Sequence, residues 1–467
     1  MFLSHKIKEE IKKIDFSSNN SEIYNEHFTK KELLETLKKL KKSAPGPDRM
    51  HNLMLKNLPD CMINNLLDLF NSFWTSGFFP EEWRVATLIP VPKNGSNRLD
   101  PSEFRPISLT SAMCKVYEQL VAARLKWFLD KSNLLSEIQC GARKNRSTLD
   151  HLFKLQSQIR QGFESKKLTF AIFFDIEKAY DSTWREKVLR TLFDWNLRGN
   201  LPIFIQKFLT DRKFRVKANL TFSDLFTQEN GIPQGSVLSV ILFLIAINDI
   251  TKCLEKNVNG SLFVDDFCIY TTTKDIETAK IKLRKTIKNL EKWSDLTGFR
   301  FSLNKTKGLI FTRKLRVPKI NLYLYKKKIN FVETAKFLGL IFDRKLSWKQ
   351  HVQNVKSECV KRLRILQHLS YSSWGADRST LIMLYRSTVR SKLDYGCIIY
   401  GYASKSTLQT LDSIHHTGLR LATGAFRTSP ASSLCTEAFE PPLYFRRQLL
   451  LANNLAKVKS LPGHPVN

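Results

Sequence analysis

Ser261-Leu-Phe-Val-Asp-Asp-Phe-Cys-Ile-Tyr270 sets two adjacent carboxylates between two short apolar runs, in a chain whose formal net charge is +32. Apolar–Asp-Asp–apolar predicts a β-hairpin with Asp265 and Asp266 at its turn, because alternation along one strand would drive one acid into a core. Two like charges at such a tip repel each other, so a positive partner is expected. In so basic a chain the economical partner is a divalent metal, held by hard oxygen ligands and by the phosphates of a substrate. Taken alone, a solvated turn that happens to contain two acids is the better account.

A third carboxylate changes the balance. Leu168-Thr-Phe-Ala-Ile-Phe-Phe174 has the length and apolarity of a buried strand and ends on Asp175. In the segment that follows, Thr183 and Glu186 have capping-box spacing for a helix beginning near Trp184. An acid at the end of a buried strand, before a loop and a helix, suits a catalytic residue. Asp175 and Asp265 are 90 residues apart, yet on strands that can pair in one sheet. Three clustered acids can hold two Mg²⁺ roughly 3.5–4 Å apart, the arrangement that stabilises attacking and leaving oxygens in phosphoryl transfer.

The 467 residues exceed one ordinary core, so two or three subdomains are expected. A hydrophobic content of 42% excludes global disorder. Lysine and arginine total 75 against 43 acids, and the excess is spread along the chain rather than gathered in a tail. An extended basic surface favours nucleic acid, with an anionic membrane as competitor. The longest apolar stretch, Val237–Ile247, is too short to span a bilayer, and Met1–Asp15 lacks the apolar segment of a signal peptide. The eight cysteines show no C-x-x-C and no zinc spacing with histidine, so they read as reduced thiols of an intracellular protein. His415-His416 falls in an apolar helical pattern and reads as packing rather than ligation.

Phe28–Leu40 reads as a basic amphipathic helix stopped by the turn cluster Ser43-Ala-Pro-Gly-Pro-Asp48, and Leu53–Ser76 as one or two helices ending at Gly77. Glu82–Lys93 reads as a strand carrying Arg84 and Lys93, with Pro90 and Pro92 marking its end or an edge. Phe104–Thr110 follows a loop and precedes a helix over about Ala112–Leu129. Helices and strands then alternate to Leu309–Thr312, suggesting an α+β layer. Ala335–Phe342 reads as a short hairpin strand. From Trp348 the pattern turns helical and basic, with Lys356, Lys361, Arg362 and Arg364 suited to a nucleic-acid backbone or to an ordinary solvated face.

Asn230-Gly-Ile-Pro-Gln-Gly-Ser-Val-Leu-Ser239 is the third informative segment. Gly231 and Gly235 bracket Pro233 and Gln234 in a tight turn where backbone can approach a ligand, and Ser236 is placed to cap the apolar helix that follows. A plain loop-to-helix junction also fits, until its position between the two acid sites is considered.

The ordered set Phe174-Asp-Ile-Glu-Lys-Ala-Tyr-Asp181, Gly231-Ile-Pro-Gln-Gly-Ser236, Phe263-Val-Asp-Asp266, Gly298…Lys305 and Phe337-Leu-Gly339 resembles the palm motifs of reverse transcriptases. Upstream, Ala44-Pro-Gly-Pro-Asp48, Trp83-Arg84, Ile89-Pro-Val-Pro-Lys93, Phe104-Arg-Pro-Ile-Ser108 and Arg146-Ser-Thr-Leu-Asp150 resemble the non-LTR (LINE-type) retrotransposon polymerases. Val389–Gly396 and Gly418–Pro430 are similar to the jockey-like branch of arthropods. The likeness covers nearly the whole chain.

The resemblance implies a right-hand polymerase of the α+β class: an N-terminal extension over 1–24, fingers over 25–165, a palm with an antiparallel sheet over 166–345, and a helical basic thumb and C-terminal region over 346–467. It implies that Asp175, Asp265 and Asp266 hold two Mg²⁺ (or Mn²⁺), and that Tyr180 is a steric gate against a ribonucleotide 2′-OH. It further implies that Gln234 and Gly235 help position the incoming nucleotide, that Arg105 and Lys93 contact its phosphates, and that Lys305 aids pyrophosphate departure as a general acid. The implied partners are an RNA template, a DNA primer and dNTPs, with no membrane. The implied setting is intracellular: a cytoplasmic ribonucleoprotein, and the nucleus at integration. Val240, Ala142 and Arg49 stand where the family usually has proline, phenylalanine and glycine, and Arg49 is expected to strain a turn requiring positive φ. The chain has no room for the endonuclease or ribonuclease H of longer family members, so it resembles an excised or truncated reading frame. An inactive remnant that binds RNA is the second reading, and a membrane-surface protein the third.

Overall fold

The computed structural model describes residues 14–93, 100–371, 373–461 and 464. Two compact units divide the chain, one from residues 1–142, 176–254 and 288–302, the other from 143–175, 255–287 and 303–467.

In the first unit the strand Val85–Pro92 pairs antiparallel with Phe104–Leu109 and parallel with Lys213–Ala218. The parallel pairing covers only Val85–Leu88, so Pro90 and Pro92 fall where the strand has a single neighbour. That is where residues lacking an N–H are tolerated. Arg84 lies outside the strand, in the helical turn Glu81–Arg84. Of the helices Lys30–Lys39, Asp60–Ser76, Ala112–Lys131 and Asn200–Leu209, the last three supply an aromatic core. Its centre is the fully buried Tyr117, with the rings of Phe70 and Phe204 each at 4.9 Å. Thr29 and Glu32 form the capping box that starts the first of these helices.

In the second unit a five-stranded sheet runs in the order Asn330–Phe331, Lys307–Phe311, Leu168–Phe174, Asp266–Thr273, Asn259–Phe263. All pairs are antiparallel except the short first one. Every residue of Leu168–Phe174 is buried, as its unbroken apolar run requires of a central strand. Leu152, Leu155 and Ile159 of the helix Thr148–Glu164 share one core with Ala171 and Phe173, and with Val352, Val355 and Cys359 of Lys349–Leu369. The Ala335–Phe342 segment is a hairpin of two strands, Thr334–Phe337 and Leu340–Asp343.

Two local expectations are corrected. The helix after Asp175 spans Arg185–Asp194 without a side-chain cap, because the Thr183 hydroxyl donates instead to the Ala179 carbonyl at 2.8 Å. Ser236 does not cap the helix Ser239–Ile247, since its hydroxyl donates to the Glu118 carboxylate. Arg49 has φ +55, as expected, and Ala142 has φ +54. None of the eight cysteines, all of them among the described residues, forms a disulfide, and seven are buried while Cys61 is exposed.

Candidate active site

The three acids all belong to the second unit. Phe174 pairs with Phe267, so Asp175, one step beyond, and Asp266, one step before, leave the same end of the same antiparallel ladder. Phe263 pairs with Asp266, which leaves Val264 and Asp265 as a two-residue turn. The sequence expectation placed both acids at the turn; here Asp265 lies in the turn and Asp266 opens the strand. Val264 has φ +57. A two-residue hairpin calls for positive φ at its first position, and a β-branched residue there is strained, as is common at functional sites.

Electrostatics ties the acids together. Asp266 stays exposed as a residue, yet desolvation, then the charges of Asp265 and Asp175, push its carboxyl up to about 6. Lys305 Nζ lies 3.3 Å from Asp175 Oδ2. Among the described residues no group of three or more His, Cys, Asp or Glu side chains is drawn close enough to hold a metal ion. Asp175 takes the Lys305 ammonium as its partner. The donor set still fits a hard divalent cation: carboxylate oxygens delivered to one ladder end, where the charges of Asp265 and Asp175 push the Asp266 carboxyl up.

The remaining candidates belong to the first unit. The Tyr180 ring is half-buried, 5.2 Å from that of Phe243 and inclined at 30°. Its carbonyl accepts from Ile232 N at 3.0 Å, while Gly231 N donates to the Thr183 carbonyl at 3.1 Å, so the segment after Asp175 is laced to the Pro-Gln-Gly loop. Gln234 offers its carbonyl to Ser108 N at 2.7 Å and lines a 390 Å³ cavity with Pro106, Ser108, Asp181 and Asn230. Gly235 has φ +124, and a Cβ there would lie 2.8 Å from the Ser108 carbonyl oxygen, so both conformation and space demand glycine. Arg105 is exposed beside the end of the Val85–Pro92 hairpin, and Lys93 Nζ donates to the Ser102 carbonyl at 2.6 Å.

Three supporting residues were not singled out by sequence reasoning. Glu118, on the buried face of Ala112–Lys131, accepts from the Val237 and Leu238 amides at 2.9 and 3.2 Å. Arg185 Nε donates to the Gly231 carbonyl at 2.9 Å. His151 Nε2 meets the Leu262 carbonyl at 2.9 Å, two residues before the strained turn, and burial holds its imidazole down to about 4, so the neutral ring donates. The available signal was a charged or imidazole group on an otherwise apolar helical face. Each of these groups holds another segment's backbone, a pairing that leaves no mark in composition.

The profile of the reverse transcriptase (RNA-dependent DNA polymerase) family matches residues 91–342, more than half of the chain, and the protein belongs to that family. Its fold is of that family's α+β, right-hand class. It is 27% identical over 394 residues to the RNA-directed DNA polymerase from mobile element jockey of Drosophila melanogaster, covering 82% of this chain and 42% of that one. The probable RNA-directed DNA polymerase from transposon X-element of the same fly is 27% identical over 392 residues, with the same coverage, 82% and 42%. The chain thus spans less than half the length of these curated relatives. The apo telomerase of Candida tropicalis aligns over 86% of this chain and 68% of its own at 14% identity, with a TM-score of 0.42. Reverse transcriptases depend in general on divalent metal. No helix among the described residues is long and apolar enough to cross a membrane.

Proposed function

We propose that this chain is the RNA-directed DNA polymerase of a non-LTR retrotransposon, copying an RNA template from a DNA primer with dNTPs. The observation that carries the reading is the delivery of Asp175 and Asp266 to one end of a single ladder, with Asp265 in the adjoining turn. Asp175, Asp265 and Asp266 would hold two Mg²⁺, or Mn²⁺. When bound, the ions supply charge for the entering 3′-oxygen and the departing pyrophosphate.

Lys305 Nζ lies beside Asp175 and is placed to donate a proton to the leaving pyrophosphate. Tyr180 excludes a 2′-OH, Gln234 and Gly235 orient the nucleotide, and Arg105 and Lys93 meet its phosphates. On this reading residues 25–165 serve as fingers, 166–345 as palm and 346–467 as thumb. The setting is intracellular, in a ribonucleoprotein and at the nuclear target.

The test is primer extension on an RNA template by the wild type and by Asp175→Asn, Asp265→Asn and Asp266→Asn. Each substitution removes a metal-binding charge at nearly constant volume. Loss of extension on the order of a thousandfold or more in folded protein is expected. Full extension by Asp175→Asn or Asp265→Asn would remove the assignment. RNA binding without any wild-type extension would favour the inactive remnant.

A further inference from the structure

We infer that Glu118 is a positioning residue for nucleotide selection, acting through the backbone of the Pro233-Gln-Gly-Ser236 loop. The inference rests on the polymerase reading above. Glu118 has no exposed surface. Its Oε2 accepts from the Ser236 hydroxyl and from the Val237 and Leu238 amides, and its Oε1 from the Cys114 thiol at 3.4 Å. Every contact is a donor, so the group that fits is a carboxylate.

The geometry explains why an ion is placed here. Val237 and Leu238 precede the helix Ser239–Ile247, whose N-cap residue Leu238 offers no side-chain acceptor. The amides that begin a helix are unpaired donors at the positive end of its dipole, and a carboxylate satisfies both needs. A buried anion is costly unless compensated. The fully buried Arg212 lies within electrostatic reach of Glu118, and its Nε and Nη2 have no hydrogen-bond partner among the described residues. Charge and donors together hold Glu118 in one position.

The consequence falls on the neighbouring loop. Ser236 and Val237, gripped by Glu118, directly follow Gln234 and Gly235. On the other side, Ser108 N fixes the Gln234 carbonyl, Arg185 fixes the Gly231 carbonyl, and the Ser239 hydroxyl donates to the Pro233 carbonyl at 2.7 Å. The loop is therefore clamped at both ends, and Glu118 is the clamp on its downstream end. Slackening that end alone should misplace Gln234 without touching a catalytic acid.

The experiment compares wild type, Glu118→Gln, Glu118→Asp and Ser236→Ala in steady-state primer extension, with Kd for primer–template measured separately and folding checked by thermal melting. Glu118→Gln keeps the volume but turns either an amide donor or a single acceptor toward three donors. The expected result is a rise of about tenfold in KM for dNTP, a smaller loss in kcat, and unchanged primer–template Kd. Glu118→Asp should partly restore KM. Ser236→Ala, which removes one donor and leaves the ion paired with two amides, should raise KM by a few-fold and serves if Glu118→Gln does not fold. An unchanged KM for dNTP in folded Glu118→Gln or Ser236→Ala, or a parallel loss of primer–template affinity, would overturn the inference. Absence of extension by the wild type would instead remove the polymerase reading itself.

Discussion

Asp266 carries the clearest electrostatic signature of the acid group, and it is measurable without substrate. Its carboxyl is pushed up by desolvation and by two like charges, so in metal-free protein the charged form is disfavoured. Asp266→Asn should therefore raise the melting temperature at neutral pH in a chelator, and should abolish any further rise on adding Mg²⁺. A lowered melting temperature in the chelator would mean that the carboxylate is held by favourable contacts instead. Tyr180 makes a different kind of claim. Its ring rests on Phe243, which fixes one face and half-buries the residue. A rigid ring can exclude a 2′-OH only if it is held in this way. Tyr180→Ala should relax the dNTP/rNTP preference more than it lowers dNTP turnover, and Tyr180→Phe should keep the preference. The ratio of incorporation at matched concentrations is the readout, because selectivity by collision is a difference between two transition-state energies. An unchanged ratio in an active Tyr180→Ala enzyme would make the ring simple packing.

At the scale of elements, what could be read early followed from local rules. The run Leu168–Phe174 had to be a buried strand because it is short and unbrokenly apolar, and Phe263-Val-Asp-Asp266 had to turn because a straight strand would bury an unpaired acid. Local pattern was poorest at choosing among nearby acceptors. Thr183 and Ser236 both had capping geometry in sequence, yet each hydroxyl went to a partner that spacing alone does not rank: the Ala179 carbonyl and the distant Glu118 carboxylate. Strand partners were equally hidden, since nothing local says that Val85–Leu88 lies parallel to Lys213–Val216. The Ala44-Pro-Gly-Pro-Asp48 cluster shows both sides. A rigid turn was legible; its docking was not. Asp48 accepts from the Ala112 amide at 2.7 Å and from the Ser111 hydroxyl at 2.8 Å, satisfying the start of the helix Ala112–Lys131 from outside. Gly46 permits that approach, because a Cβ there would lie 2.1 Å from the Thr110 carbonyl oxygen. Backbone cannot yield cheaply, so Gly46→Ala should cost about 1–3 kcal/mol and Asp48→Ala about 1 kcal/mol in denaturation experiments. A neutral Gly46→Ala would show that the turn can rest elsewhere.

For the whole molecule, the net charge of +32 and the buried histidines of the second unit make separate demands on solution conditions, one on salt and one on pH. Binding to single-stranded RNA should weaken steeply with salt, with a log–log slope of about −0.7 for each phosphate contacted, and a slope near zero would assign the charge to another purpose. Acid acts through a separate route. His151, His351 and His415 are all buried, and burial lowers each from 6.5 to about 4. Their neutral forms are built into the fold: His151 donates to the Leu262 carbonyl, His351 Nδ1 accepts from Ile341 N at 3.3 Å, and His415 joins the Tyr385 hydroxyl. Because the folded values are depressed, the unfolded chain binds more protons between about 6.5 and 4. Stability is then full above 6.5 and falls as the pH drops through that window, approaching about 1.4 kcal/mol per pH unit for each histidine. Thermal melting from pH 8 to pH 4 should show a steepening loss below 6.5. His151→Gln, whose amide can still donate to the Leu262 carbonyl, should make that loss shallower by one histidine's share. A melting temperature level from pH 6.5 to 4.5 would mean that these imidazoles titrate in the folded protein much as they do in the unfolded one.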